Sequence, residues 1–423
     1  VPLASIKQDL YTRLGARPDV TVRIRIDQPP IRRVLARVAD VPGYGWRRCH
    51  PLPLAHPVKV TGGDADGGVV LANGLVTVAI DPTSGTFALD GVPGFGKLVD
   101  GGDHGDSYNY SPPRFDRLVD TPETVSVSVT ERGPVRAQAE ITATYVWPEY
   151  VDGTTRDRRG ERTVDVTTLV ELRADERIAR VVTRFVNPSR DHRLRVHLPL
   201  PRRAEGSEAE CAFAVVTRGL DAEGRPDELG LPTFPARRFV SAGRLTVAHE
   251  GLLEYELIDI DDDEGRRRAR TLALTLLRAT GMLSRLGMAY RPLPAGPLTP
   301  VPGLQLQGRP IEARYALCLD CDDPYAMVDD AFLPLDVVHA PGGGSRPTEG
   351  SALEIEGAEV SALRRETGLL ELRVFNPTDA PTTVRLGSRS GWLVDLRGRS
   401  LVAFDGSFEL PPWGIATAHL RED

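Results

Sequence analysis

Lysine is almost missing from this chain. Lys7, Lys59 and Lys97 are the only three in 423 residues, so arginine supplies 49 of the 52 basic side chains. That skew reads first as codon bias and only then as chemistry. Cysteine is scarce as well, with four residues, too few for a disulfide framework in a chain this long; the expected compartment is reducing or indifferent, the cytoplasm. Long apolar runs are lacking: Leu272 to Tyr290 is interrupted by Arg278 and Arg285, which excludes a membrane-spanning helix there. Positive charge is not in excess either, and a net charge of −7 argues against a nucleic-acid partner. No charged segment followed by an apolar stretch opens the chain, so no signal peptide is visible. A start at Val1, without Met, is expected of a piece of a longer protein. Three catalytic signatures are also missing: Gly-x-Ser-x-Gly, a glycine-rich phosphate loop and His-Glu-x-x-His.

What the chain has is turns. The 41 Gly and 35 Pro make up about 18% of it, against an average near 12%. Period-2 alternation dominates the segments between them, as in Val125 to Thr130, Thr163 to Leu172 and His192 to Leu198, which is the pattern of half-buried strands. Leu71 to Ile80 reads as a strand, Asp81 to Gly85 as a turn and Thr86 to Leu89 as the next strand. No amphipathic helix longer than about three turns is expected. The best short one is Pro324 to Phe332, where Asp323-Pro324 resembles a helix entry. The fold class is therefore all-β, a multi-domain β-sandwich. Its sections are 1–57, ending in a Pro-rich stretch (Pro51 to Pro57); 58–334, with most strands; and 335–423. The last begins with a linker around Gly342 to Gly344 and continues as a small β-sandwich with strands at Leu353–Ile355, Leu369–Phe375, Thr382–Leu386, Trp392–Leu396 and Ile415–Leu420.

Several constellations invite chemical readings. His104-Gly-Asp106 has a two-ligand metal spacing, but no third ligand lies nearby and a polar turn explains it. Cys318-Leu-Asp-Cys321 is a lone pair without further ligands and reads as two ordinary thiols at a strand end. Asp259 to Gly265 imitates the start of a calcium loop, yet Gly falls one place late and the arginines Arg266 to Arg268 follow, so a solvated hairpin tip is expected. Arg237 or Arg238 is expected to pair with Glu254 as a structural ion pair. The loop Asp100 to Pro113 is denser in chemistry, with three carboxylates (Asp100, Asp103 and Asp106), a His, an Asn and two Tyr. Asp and Asn grip sugar hydroxyls through paired hydrogen bonds, and Tyr adds an apolar face for a pyranose ring. A self-hydrogen-bonded surface loop has the same composition, and both readings stay open on the residues alone.

The run Gly105-Asp-Ser-Tyr-Asn-Tyr-Ser-Pro112 resembles a motif of bacterial members of glycoside hydrolase family 38, the α-mannosidases and mannosylglycerate hydrolases. The resemblance continues in order: Val41 to Trp46, Leu71 to Leu75, Thr233 to Val240, His249 to Gly251 with Glu254-Tyr255, Leu274 to Arg278, and Pro411 to Thr417. It implies the C-terminal β-region of such an enzyme: part of a small β-domain (1–57), a galactose-mutarotase-like supersandwich (58–334), then the linker and C-terminal sandwich (335–423). By the same resemblance the catalytic aspartate, the acid carboxylate and a zinc ion belong to an N-terminal module missing here. The chain would then carry no catalytic residue, metal ligand or cofactor and be inactive alone, with α-mannosides and its own catalytic module as partners; whether the parent is a homo-oligomer is open. The resemblance places Tyr108 at the sugar, with Arg278 supporting it and Asp106, Asn109 and Tyr110 as neighbours in the loop. Two other readings remain: a free-standing carbohydrate-binding protein using this loop, and a mutarotase-like enzyme using His192, His197 and Glu171, though alternation sets the two histidines on opposite faces.

Overall fold

Each alternating segment finds an antiparallel neighbour that covers its backbone and shares its apolar face. The computed structural model describes residues 3–17, 19–21, 34–49, 52–63, 68–263, 265–338, 344–345, 347–366 and 368–421; Val1, Pro51, Glu264, Gly342 and Gly343, singled out in sequence, lie outside them. The chain divides into a leading unit, Val1–Ala36, and a large one, Arg37–Asp423. Among the described residues of the leading unit, Leu3–Ala16 is a 14-residue α-helix with an Asp9–Arg13 pair one turn apart. Its apolar residues Ile6, Leu10 and Leu14 follow an i, i+4 row, a weak stripe that the expectation of no long helix overlooked.

The large unit is all-β at its centre. A nine-stranded antiparallel sheet faces a five-stranded one, and one apolar cluster fills the space between, with Ile141, Val170 and Leu317 from the first sheet and Leu194, Tyr255 and Leu274 from the second. Burial alternates strictly along Arg136–Trp147, as a two-layer packing requires. Within that core the Trp147 ring is fully buried and meets Phe185 edge-on at 5.5 Å. The expected strand Leu71 to Ile80 is instead a hairpin, Val69–Ala72 with Thr77–Ile80. Asn73 Oδ1 accepts the N–H groups of Leu75 and Val76, and Gly74 takes φ of 81°, the left-handed conformation a tight turn needs. Asp259 to Gly265 is the end of a hairpin between Glu254–Asp263 and Arg266–Ala279, with no calcium-like arrangement of carboxylates among the described residues. No helix is long and apolar enough to cross a membrane among the described residues.

The closing residues form a five-stranded antiparallel sheet over its own cluster of Leu372, Val384, Leu386, Phe408 and Leu420. Leu369–Phe375 and Ile415–Leu420 are strands at the expected bounds. Thr382–Val394 is one continuous strand rather than two, and Leu353 to Ile355 is irregular. The strand in that neighbourhood is Glu349–Ser351, which pairs with Gly45–Arg47 from the far end of the sequence.

The helix Pro324–Phe332, found where expected and capped by Asp323, joins the central sheets to the closing one. Its Tyr325 ring lies 5.2 Å from Phe239 and 6.2 Å from Phe375. Glu359, which opens the closing sheet, sits partly buried in this seam. Burial first, then Asp323, pushes its carboxyl up to about 7; Asp329 and Glu210 act in the same direction and Arg238 against it. A carboxyl raised on folding adds stability that is full below its ordinary value of 4.5 and is lost as the pH rises through about 7. Solvent screening of this part-exposed group limits the effect to about 1 kcal/mol. Glu359→Gln is therefore expected to gain denaturant midpoint over the native chain at pH 8 but hardly at pH 5; an equal difference at both would remove burial as the cause.

Candidate functional site

The site starts where the edge strand Lys97–Gly102 ends. That strand pairs with His192–Ala204, setting Gly101 opposite Arg193 and Gly102 opposite His192. Two buried residues anchor its end: His192 Nδ1 lies 2.6 Å from Asp100 Oδ1, and Arg158 donates to Asp100 Oδ2. His192 Nε2 reaches Asn187 Oδ1 at 2.9 Å.

On the other side of His192–Ala204 runs Arg266–Ala279, and its register slips between Leu194 and Arg195. The extra residue is Leu276. Thr275 serves the polar face, Leu276 and Leu277 both join the core, and Arg278 returns to the polar face. A bulge of this kind shifts the alternation by one, and here it aims Arg278 at the loop instead of the core.

The loop folds around two buried carboxylates. Asp103 accepts from Gly105 N at 2.8 Å, Ser111 N at 3.2 Å and Arg278 Nε at 2.6 Å; burial still pushes its carboxyl up, with Arg278 opposing. Asp106 Oδ1 accepts from Tyr108 N and Asn109 N, both at 3.0 Å, while Oδ2 takes Arg285 N at 2.7 Å and the guanidinium of Arg291. Burial opposes its ionisation, but these donors outweigh it and hold the carboxyl below the usual range. Gly105 is needed for space: a Cβ there would stand 2.2 Å from the Asn109 carbonyl oxygen. Arg278 also donates to that carbonyl.

These bonds sort the expected site residues into two groups. Asp106 is fully buried, and Arg278 binds Asp103 and the Asn109 carbonyl, so both hold the shape of the loop. Tyr108 is 55% exposed, its ring 5.9 Å from the Arg291 guanidinium. Asn109 reaches Glu228 Oε1 with Nδ2 at 3.3 Å and accepts Arg291 Nε at 2.9 Å. Tyr110 lies under the Arg193 guanidinium, 3.6 Å from its ring centroid, and burial raises its hydroxyl to about 12. Tyr108, Asn109 and Tyr110 share a cavity of about 550 Å³ with Glu228, Phe234 and Glu254. It offers aromatic faces, an amide and carboxylates to one ligand, the mixture that holds a polyhydroxylated ring.

Sequence reasoning missed Arg193, Glu228, Phe234, Arg285 and Arg291, and assigned Glu254 the wrong partner. Glu254 Oε1 accepts from Thr275 Oγ1 at 2.6 Å and from Arg193 at 3.3 Å, whereas Arg237 and Arg238 both bind the buried Glu210. Arg193 and Arg195 reach Glu254 and Glu256 across the intervening strand, where Ala273 and Thr275 are small enough to let them pass. Two arginines in one alternating strand were a signal for such partners, but spacing could not say which acids.

A metal does not fit the His104–Asp106 pair. His104 faces Arg285 Nη1 at 3.0 Å, and burial, then Arg285 and Arg156, drops its imidazole to about 4. Asp106 has no free oxygen, and no group of three potential ligands occurs among the described residues. The His104–Asp106 pair therefore does not fit zinc. Nor do His192, His197 and Glu171 make one site. His192 binds Asp100 inside the five-stranded sheet, Glu171 binds Gln138 and Arg173 on the nine-stranded one, and His197 Nε2 has no partner.

The fold is similar to that of an α-mannosidase from Enterococcus faecalis V583, with a TM-score of 0.64 and 23% identity over 87% of this chain and 43% of that one. It is equally similar to a protein of glycosyl hydrolase family 38 from Enterococcus faecalis, at a TM-score of 0.65 and 23% identity, over 87% of this chain and 44% of that one. The chain spans less than half the length of either. No family model and no curated protein matches it.

Proposed function

We propose that this chain is the β-rich portion of a family 38 glycoside hydrolase, an α-mannosidase whose catalytic residues and zinc lie in a separate module. The cavity beneath Tyr108 carries this reading. A loop resembling a family 38 motif is held rigid by Asp103 and Asp106 and presents two tyrosines and an amide to a sugar-sized space. In the parent, a retaining hydrolase, these side chains would wall the sugar site. Their contribution is orientation, which can supply much of a rate enhancement without any bond being made by the wall itself.

The test has two arms. The purified chain is expected to leave an aryl α-mannoside intact with or without added zinc, while the product of the longer reading frame hydrolyses it. In that longer product Tyr108→Ala is expected to raise KM on the order of tenfold, the equivalent of about 1.4 kcal/mol of lost contact. Turnover by the chain alone would sink the proposal. Tight calorimetric binding of mannose by the chain alone would favour a free-standing carbohydrate-binding protein instead.

A further inference from the structure

The pair Cys318 and Cys321 lies away from the sugar cavity and has no place in the function above. Strand Pro310–Leu319 carries Cys318 in its buried next-to-last position. Asp320 then takes φ of 53°, the left-handed region that reverses the chain, and Cys321 packs against the same apolar cluster that buries Cys318. The turn is fixed from both sides. Arg244 grips the Asp320 carboxylate with two nitrogens, Nε at 2.6 Å, and its carbonyl accepts Asp320 N at 2.9 Å. Beyond it, Asp323 caps the helix Pro324–Phe332 by accepting from Tyr325 N and Ala326 N.

The two thiols are unequal. Cys318 is buried in the cluster of Phe239, Tyr325 and Phe375 and its Sγ donates to the Leu319 carbonyl at 3.6 Å; the neighbouring Cys321 and burial push its thiol up. Cys321 is only partly buried, and the neighbouring Cys318, opposed by burial and helped by the backbone at Asp323, holds its thiol down at about 7. Both are free.

We propose that Cys318 and Cys321 are a redox-active dithiol, with Cys321 the attacking sulfur and Cys318 the resolving one, oxidised by a small-molecule disulfide such as oxidised glutathione. The Cys321 thiolate attacks one glutathione sulfur, forming a mixed disulfide and releasing one glutathione thiolate. The Cys318 thiol then gives up its proton and attacks the Cys321 sulfur, expelling the second glutathione, which takes that proton. Two protein thiols are oxidised and one glutathione disulfide is reduced to two thiols. The product ties the last residues of a core strand to the entry of the helix that joins the central and closing sheets.

The full chain is equilibrated in glutathione buffers from reducing to oxidising, quenched in acid, alkylated and analysed as peptides by mass spectrometry. The peptide carrying both cysteines is expected to lose two hydrogens, about 2 Da, as an internal disulfide, while Cys49 and Cys211 are recovered individually. In Cys318→Ser, Cys321 should accumulate as the glutathione mixed disulfide; in Cys321→Ala, reaction at Cys318 should slow at least about tenfold. Separate alkylation of Cys318 and Cys321 throughout, with no internal disulfide in the native chain, overturns the proposal.

Discussion

Asp106→Ala is expected to cost about 3–5 kcal/mol, the range for removing one partner of a buried ion pair, and to lower the melting temperature on the order of 10 °C. The loss is large because Asp106 serves four donors from two segments at once. Tyr108 N and Asn109 N belong to its own turn; Arg285 N and the Arg291 guanidinium belong to the segment packed behind it. Without the carboxylate, Arg291, whose side chain is 6% exposed, keeps neutral partners but loses its counter-charge. The double change Asp106→Ala with Arg291→Met should recover much of the loss, since it removes the stranded charge as well. The carboxyl is lowered on folding, so its contribution is fully present at neutral pH and disappears only as the pH falls below its ordinary value of 3.8. Thermal melting of the single and double variants checks this. A loss under about 1 kcal/mol for the single variant, the scale of an exposed pair, would show that the loop is held by something else.

Asp100→Ala is expected to be comparably severe, but with a distinct local signature. Asp100 is the shared acceptor of Arg158 and His192, and the side chains of all three are at most 1% exposed. Removing it leaves the buried guanidinium with only the more distant Asp116 carboxylate at 3.8 Å and frees the end of the edge strand at which the loop begins. About 3–5 kcal/mol of stability should be lost. Amide exchange should accelerate at least about tenfold across residues 103–111, the equivalent of about 1.4 kcal/mol of local opening, while residues 369–375 and 415–420 of the closing sheet keep their protection. Uniform acceleration across the chain would mean that Asp100 supports the whole fold and not the loop in particular.

Much of the architecture was legible because it is written locally. Val125 to Thr130 alternates, and each of its neighbours can be read as a strand without knowing its partner. Asp323-Pro324 carries its helix entry in two residues. Leu3–Ala16 escaped notice because its apolar row is thin. Leu71 to Ile80 was read as one strand although Asn73-Gly74 in its middle is a turn signal, and a stretch of alternating residues on either side outweighed it. In the candidate site, Tyr108, Asn109 and Tyr110 stand out by type, and the structure sets all three around one cavity. Asp106 and Arg278 have equally suitable chemistry, and nothing in their types says that both are consumed holding the loop.

The sequence by itself determined the all-β class, the strands Leu369–Phe375 and Ile415–Leu420 and the loop that lines the cavity, because turn residues and alternation act within a few positions of one another. Only the tertiary structure decided which face each charged side chain occupies and what it meets there. One inserted residue, Leu276, shifts the alternation and turns Arg278 toward Asp103. Small residues on the intervening strand let Arg193 reach Glu254, and Arg237 and Arg238 are drawn to Glu210 because that carboxylate is fully buried and would otherwise be unpaired. Gly45–Arg47 meets Glu349–Ser351 for the same kind of reason. Partners across a sheet are chosen by register and burial, which are properties of the assembled layers and leave no periodic trace in the chain.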